Sequence, residues 1–297
     1  MQHARYMTLP VRITCLLLCT ALSRAGLAMD FPETPANMAY SGIYDVPVRL
    51  VNGVYEGEPY VPGGASRPRV ELLTGLYASS GSNMFVLLGE SSGGTGSNLY
   101  LAAISTDGGN IGTDLIGDRV DVISLHSEGS RVVLDYVTAG PGEAACCPSL
   151  RITRMYGIRD GELVELSRQE HGSISLASLS GTQWRLLALD RDTPLPEDIS
   201  ITAGFDDTRV SGSAGCNRYF APASATTPYD LSVGPAGATR MSCPQPVMQA
   251  ESRFLNALQK ATQFSFRLGR LAIGYRDGDT PASLLFERIP PGQEEHR

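Results

Sequence analysis

The stretch Gln245-Pro246-Val247-Met248-Gln249-Ala250-Glu251-Ser252-Arg253-Phe254-Leu255-Asn256-Ala257-Leu258-Gln259-Lys260-Ala261 decides the fold, because here the hydrophobic period changes. Val247, Ala250, Phe254, Leu258 and Ala261 recur at spacings of three and four, while Glu251, Arg253, Asn256, Gln259 and Lys260 fall largely elsewhere. That spacing predicts an amphipathic helix with one face to bury. Pro244 and Pro246 suit its start, where a missing N–H costs nothing.

Outward from the helix, the text reads as strands. Downstream lie Gln263 to Leu268, Arg270 to Tyr275 and Ser283 to Arg288, with Asp277-Gly278 as a hairpin turn. Upstream are Trp184, Leu186 and Ala188 on one side of a strand, then Ile199 to Phe205 and Thr208 to Ser211 joined through Asp206-Asp207. One helix against a curved antiparallel sheet is the expected packing. Further upstream, Asp45 to Leu50, Leu72 to Leu88, Asn98 to Ile104, Val120 to Leu125, Arg131 to Val137, Arg151 to Ile158 and Leu163 to Leu166 are short apolar or alternating runs. Asn52-Gly53, Asp107-Gly108-Gly109, Glu128-Gly129 and Asp160-Gly161 punctuate them as tight turns. The pattern predicts antiparallel pairing and offers no strand–helix alternation for a doubly wound sheet. The small, polar text from Ser167 to Gly181 reads as a linker with one weak strand, Ile174 to Leu176. The expected organisation is a leader over 1–28, a mostly antiparallel β domain over 40–170, a linker over 171–180, an α+β domain over 181–290 and a frayed tail over 291–297.

Composition narrows the function. The chain has 297 residues, 42% of them hydrophobic and 19% charged, which excludes a wholly disordered chain and a multi-span membrane protein. A net charge of -7 argues against nonspecific nucleic-acid binding. Lys260 is the one lysine and there are four histidines, so Schiff-base chemistry and histidine metal sites have few candidates. Arg5 and Arg12 precede the apolar run through Leu22, and Gly26, Leu27 and Ala28 form a small-x-small cleavage site. A secretory leader cut after Ala28 is expected; loss of Arg5, Arg12 and Arg24 takes the charge from -7 to -10. The apolar run is too short to span a bilayer, so no integral span is expected once it leaves. Neither Cys15 nor Cys19 follows a small residue that lipid modification would favour, and the expected product is periplasmic or secreted. Four cysteines then remain in an oxidising compartment, Cys146, Cys147, Cys216 and Cys243, an even count that suits disulfides.

Three patches carry a further signal: Gly181-Thr182-Gln183-Trp184-Arg185-Leu186, then Val210-Ser211-Gly212-Ser213-Ala214-Gly215-Cys216-Asn217-Arg218-Tyr219, then Thr239-Arg240-Met241-Ser242-Cys243 with Glu251 and Phe254 beyond. Together they resemble the META domain of HslJ-like envelope proteins, over roughly 180 to 289. The resemblance implies a small α+β fold with Trp184, Gly212, Gly215, Asn217 and Phe254 as turn and core residues. It also implies a disulfide between Cys216 and Cys243, worth roughly 3.5 kcal/mol by chain entropy before strain. It implies no established catalytic activity, and a link to stress tolerance, motility or virulence. Gly93-Gly94-Thr95-Gly96 before Leu99, Gly117-Asp118-Arg119-Val120 and Gly140-Pro141-Gly142-Glu143 with Cys146-Cys147-Pro148 resemble a companion domain found ahead of META domains in exported bacterial proteins. Its relatives often carry an acidic, calcium-like loop where this chain has Ser79, Ser80, Gly81, Ser82 and Asn83; without the carboxylates, calcium is not expected.

Cys146-Cys147 stays open between a vicinal disulfide, a soft-metal site approached by His126 or His171, free thiols and pairing with another chain. Ser92-Gly93-Gly94-Thr95-Gly96 lacks the Gly-Lys-Ser/Thr ending of a phosphate loop, and the serines at 211 and 213 make no Gly-x-Ser-x-Gly elbow. Asp206 with Asp207 and Asp277 with Asp279 read as acidic turns rather than glycosidase pairs. Tyr40, Tyr44, Tyr55, Tyr60 and Tyr77 could stack on a glycan or peptide, or simply pack on edge strands. The leading expectation is a non-enzymatic envelope protein that binds a protein, lipid or envelope component, with no catalytic residue, metal ligand or cofactor. The alternative is a thiol-dependent or hydrolytic enzyme using Cys146 or Cys147 with His126.

Overall fold

The computed structural model describes residues 35–290 except 145, 191, 192 and 197. The expected leader and tail lie outside the described residues. A single turn, Pro35–Asn37, leads into the short pair β1 (Ala39–Tyr40) and β2 (Val48–Arg49). Next come β3 (Val54–Glu56), β4 (Arg69–Ser80), β5 (Asn83–Ser91), β6 (Asn98–Ile104) and β7 (Asn110–Asp118), a five-stranded sheet in chain order. A second sheet holds β8 (Asp121–Glu128), β9 (Arg131–Thr138), β10 (Leu150–Arg159) and β11 (Glu162–Ser173).

Period two explains why the first sheet is buried on both faces. Phe85, Leu87, Leu99, Leu101 and Ala103 face Leu134, Tyr136, Ile152 and Tyr156 of the second sheet. The alternate residues Val86, Leu88, Tyr100, Ala102 and Ile104 lie under Met38, Tyr40, Ile43, Val48 and Leu50, so the N-terminal segment acts as a cover for the sheet. Tyr44 fastens that cover by donating to Glu90 Oε1 at 2.9 Å, and Asn98 Nδ2 and Ser92 Oγ donate to the same carboxylate. Three donors satisfy a buried carboxylate that makes no ion pair among the described residues.

After a short 3-10 turn, Leu176–Leu179, come β12 (Gln183–Asp190), β13 (Thr193–Pro194), β14 (Thr202–Asp206), β15 (Arg209–Ser213), β16 (Arg218–Ser224), β17 (Ser232–Val233), β18 (Gly237–Ala238), the helix α1 (Gln245–Gln259), β19 (Ala261–Arg267), β20 (Arg270–Asp277) and β21 (Thr280–Arg288). They form one ten-stranded antiparallel sheet that runs β17-β16-β15-β14-β12-β21-β20-β19, with β13 beside β12 and β18 beside β16. Its ends nearly meet: Phe264 N donates to Tyr229 O at 2.9 Å and Leu231 N to Thr262 O at 3.2 Å. Into this near-barrel α1 sets Ala250, Phe254, Ala257 and Leu258, with Phe254 edge-on to Tyr219 at 5.3 Å and to Phe286 at 6.5 Å.

A mostly antiparallel β half followed by an α+β half with one packed helix is the fold class expected. Several details differ. Leu72 to Leu88 is two strands, because Gly81 turns the chain between β4 and β5. The polar strand β7 and the proline-containing β16 were not anticipated. The run from Ser167 is strand as far as Ser173, held by backbone pairing with β10, and no strand forms at Ile174 to Leu176. Glu251 lies inside the core instead of on the polar face. It is 7% exposed and accepts from Asn217 N at 2.7 Å and Asn217 Nδ2 at 2.9 Å.

The described residues form one packed unit. Ile123 and Val137 of the second sheet join the core that holds Leu179 and Trp184. The β19–β20 hairpin tip donates Gly269 N to Val122 O at 3.0 Å. A Cβ at Gly269, where φ is +77, would stand 3.1 Å from Leu76, which projects from a bulge between Leu73 and Tyr77. Asp135 receives both Arg151 Nε (3.0 Å) and Nη2 (2.7 Å), and burial pulls the nearby Arg288 guanidinium down, opposed by Asp135 and reinforced by Arg151. Burial pushes the Asp121 carboxyl up, only partly opposed by Arg267.

Two outcomes follow. Replacing Glu251 by Ala leaves buried donors of Asn217 unpaired and should cost about 2–4 kcal/mol, read by urea unfolding with the lone Trp184 as fluorophore, with Glu251→Gln intermediate. Because the folded pKa of Asp121 is raised, its favourable contribution is complete below its unfolded value and is lost as pH rises through the folded one. Asp121→Asn should therefore be more stable than the native chain at pH 7, by an amount that solvent screening of this half-exposed group keeps small, with the difference vanishing below about pH 4. An equal difference at both pH values would remove burial of the charge as the cause.

Candidate functional site

Two places gather the residues that the sequence singled out. The first is the turn Ser213-Ala214-Gly215-Cys216-Asn217 between β15 and β16. Gly215 has φ +106, a backbone state that suits glycine. Gly212 allows close approach, since a Cβ there would lie 2.2 Å from Thr202 O. Asn217 is 2% exposed and uses its whole side chain. Its Oδ1 accepts from Met241 N at 2.7 Å and Thr239 Oγ1 at 2.9 Å, and its Nδ2 and backbone N–H go to Glu251. Cys216 is bridged to Cys243, with Cα atoms 6.0 Å apart and a sequence separation of 27. Cys243 immediately precedes Pro244, the N-cap of α1, so the bridge ties the turn to the helix start. Trp184 is buried, donates Nε1–H to Thr182 Oγ1 at 2.7 Å and packs 6.0 Å from Phe266; Phe254 is buried at the centre of the helix face.

Outside this fastened turn lies a groove of about 620 Å³. Gln183, Thr202, Ser211, Ser213, Arg218 and Met241 line it. Arg218 forms no ion pair among the described residues, Met241 is 56% exposed, and Phe220, 58% exposed, follows Arg218 on the same strand face. The groove thus offers hydroxyls, a guanidinium and a thioether next to an aromatic ring. The sequence marked Arg218 and Met241 only as motif neighbours, because nothing in periodicity distinguishes an outward arginine from any other solvated one.

The second place is the loop from Gly140 to Ser149. Glu143 staples its ends by accepting from Gly140 N at 2.8 Å, from Ser149 N at 2.9 Å and from Ser149 Oγ, and these bonds hold its carboxyl below the usual range. Cys146 and Cys147 are both exposed free thiols with Sγ atoms 2.8 Å apart. Cys146 borders a cavity of about 520 Å³ shared with Arg69, Glu90, Arg119 and Asp121.

The structure does not bring His126 to these thiols. His126 pairs with Val133, whereas the loop departs beyond Val137, which pairs with Asp121; at about 3.3 Å per residue the imidazole sits roughly 16 Å along the hairpin. It contacts Glu128 Oε1 at 3.3 Å, and His171 Nε2 contacts Thr153 Oγ1 at 2.8 Å. No cluster of three or more His, Cys, Asp or Glu suited to a metal occurs among the described residues. Asp206 caps its own turn by accepting from Thr208 N at 2.9 Å, and Asp277 pairs with Lys260 at 2.9 Å, so the acidic pairs are hairpin tips. The tyrosines disperse: Tyr40 is core, Tyr44 holds Glu90, and Tyr60 and Tyr77 are exposed. Ser79 to Asn83 covers the end of β4, the turn Gly81-Ser82 and the start of β5. No helix among the described residues is long and apolar enough to cross a membrane.

Residues 177–285 match the family described as META domain. Comparison with curated proteins gives no match. Among solved structures, an NMR structure of a protein from Burkholderia xenovorans is similar at 26% identity and a TM-score of 0.33, over 41% of this chain and 94% of that one. The C-terminal part of this chain carries a META domain, with the Gly-Cys-Asn turn, the Cys216–Cys243 bridge and α1 at its centre.

Proposed function

We propose that this chain is an exported, non-enzymatic envelope protein, periplasmic or secreted, that binds a protein, lipid or other envelope component through the groove of its META domain in stress tolerance. The observation that carries this reading is the use made of the motif residues. Asn217 spends its side chain on Glu251, Thr239 and Met241, and Cys216 is bridged to Cys243, which holds a turn rigid beside a groove that faces solvent. Such preorganisation lowers the ordering cost of binding. The groove chemistry favours a ligand with an anionic group, for Arg218, next to an apolar segment, for Met241 and Phe220. An enzymatic role would need a base at a nucleophile, and His126 lies far along its hairpin from the thiols. The same reading places the chain with HslJ-like proteins and its N-terminal half with the companion domain of exported META proteins.

Two measurements test it. Arg218→Glu should weaken binding to anionic phosphatidylglycerol vesicles or to an acidic peptide at least about tenfold, with native binding falling as salt rises. Equal binding by both proteins would remove the groove from the function. Intact-mass analysis of the protein recovered from an expressing bacterial envelope should give a chain beginning at Met29. A chain retaining residues 1–28, or recovered only from the cytoplasm, would overturn export.

A further inference from the structure

The two cysteine pairs of this chain stand in opposite physical situations. Cys216 and Cys243 have Cα atoms 6.0 Å apart, inside the roughly 4.4–6.8 Å range that disulfides prefer. Cys146 and Cys147 are neighbours, and a trans peptide fixes adjacent Cα atoms at about 3.8 Å, below that range. A bond between them closes a small strained ring, and strained, exposed disulfides are the readily reduced ones. Yet the loop already presents both sulfurs on the same side, 2.8 Å apart and exposed, so closure needs a movement of only about 0.8 Å. Glu143 holds the loop ends together from outside the pair, and the cavity beside Cys146 leaves that sulfur open to a small molecule.

We propose that Cys146 and Cys147 form a reversible dithiol–disulfide site, oxidised by a low-molecular-weight disulfide and reduced under milder conditions than Cys216–Cys243. This site is separate from the META groove and does not rest on the ligand assigned there. The Cys146 thiolate attacks one sulfur of the small disulfide, forming a mixed disulfide and expelling one thiolate. Cys147 then attacks the Cys146 sulfur, breaking the mixed bond, forming the Cys146–Cys147 bond and expelling the second thiolate. The two thiol protons pass to the two leaving thiolates, and the two electrons that reduce the small disulfide come from the protein sulfurs. The order of attack follows from access: Cys146 borders the cavity and meets the small disulfide first, and the hydrogen bond with the Cys146 sulfur raises the Cys147 thiol.

The test equilibrates the purified chain in glutathione buffers of graded oxidised-to-reduced ratio, followed by acid quench, alkylation and tryptic mapping. The peptide from Val132 to Arg151 carries Cys146 and Cys147 and no other cysteine. It should convert from a doubly alkylated form to one lacking two hydrogens, without adduct, and revert as the ratio falls while Cys216–Cys243 stays bridged. Cys147→Ser should stop at the mixed disulfide on Cys146, accumulating at least about tenfold more adduct than the native chain, with Trp184 fluorescence verifying its fold. Double alkylation at every ratio, two stable adducts on the native peptide, or reduction of both pairs at the same ratio would each overturn the proposal.

Discussion

The C-terminal half depends on one buried contact, the carboxylate of Glu251 against the backbone N–H and side-chain amide of Asn217. A charge taken out of water is tolerated when hydrogen bonds replace its hydration, and here two donors of one turn residue supply them. The contact serves both sides. It satisfies the turn between β15 and β16, and it fixes the rotation of α1, so that Phe254 and Leu258 point into the near-barrel. The disulfide adds a second tie one step earlier in the chain, from the same turn to the residue before the helix cap. Two links of different chemistry, on adjacent residues of one turn, leave the helix little freedom to slide or roll.

The N-terminal half solves a different problem with the same means. Its first sheet is apolar on both faces, and a sheet of that kind must be covered twice. The second sheet covers one face. The segment from Met38 to Leu50 covers the other with almost no regular structure, relying on side-chain burial and on Tyr44 at Glu90. Glu90 and Glu251 thus follow one rule: a buried carboxylate, with no ion pair among the described residues, positioned where it gathers neutral donors that include one from a distant segment.

The elements legible in the sequence are those with a local cause. The helix was read from its period, and the turns at Asp160-Gly161 and Asn52-Gly53 from residues that tolerate positive φ, which they adopt at 51 and 82, and at 53 and 84 degrees. The missed elements owe their structure to pairing. In β7 polar and glycine residues follow an apolar neighbour, β6, whose backbone supplies the ladder. In β16, Pro222 disguises an otherwise alternating strand; its missing N–H is harmless where β16 meets Arg209 at the end of β15. Glu251 was misplaced although its spacing held the signal, since it lies four residues after Val247 and three before Phe254, within the apolar stripe. A charge at such a position requires a buried partner, and the motif already contained Asn217. The groove was the least legible part, because it is defined by which face of four strands, β12, β14, β15 and β16, turns outward, a property of the closed sheet and of no single segment.

Backbone spacing also separates the roles of chemically identical residues. At Cys216 and Cys243 the chain travels 27 positions and returns at a separation that a disulfide fits, so the bond removes unfolded conformations and resists opening. At Cys146 and Cys147 the chain supplies no loop to restrict, and a bond there contributes almost nothing to stability. What the second pair has instead is access: exposure, a cavity at its side and a loop held by Glu143 rather than by the sulfurs. A pair freed from structural duty, on a loop that keeps its shape without it, can change oxidation state while the fold persists.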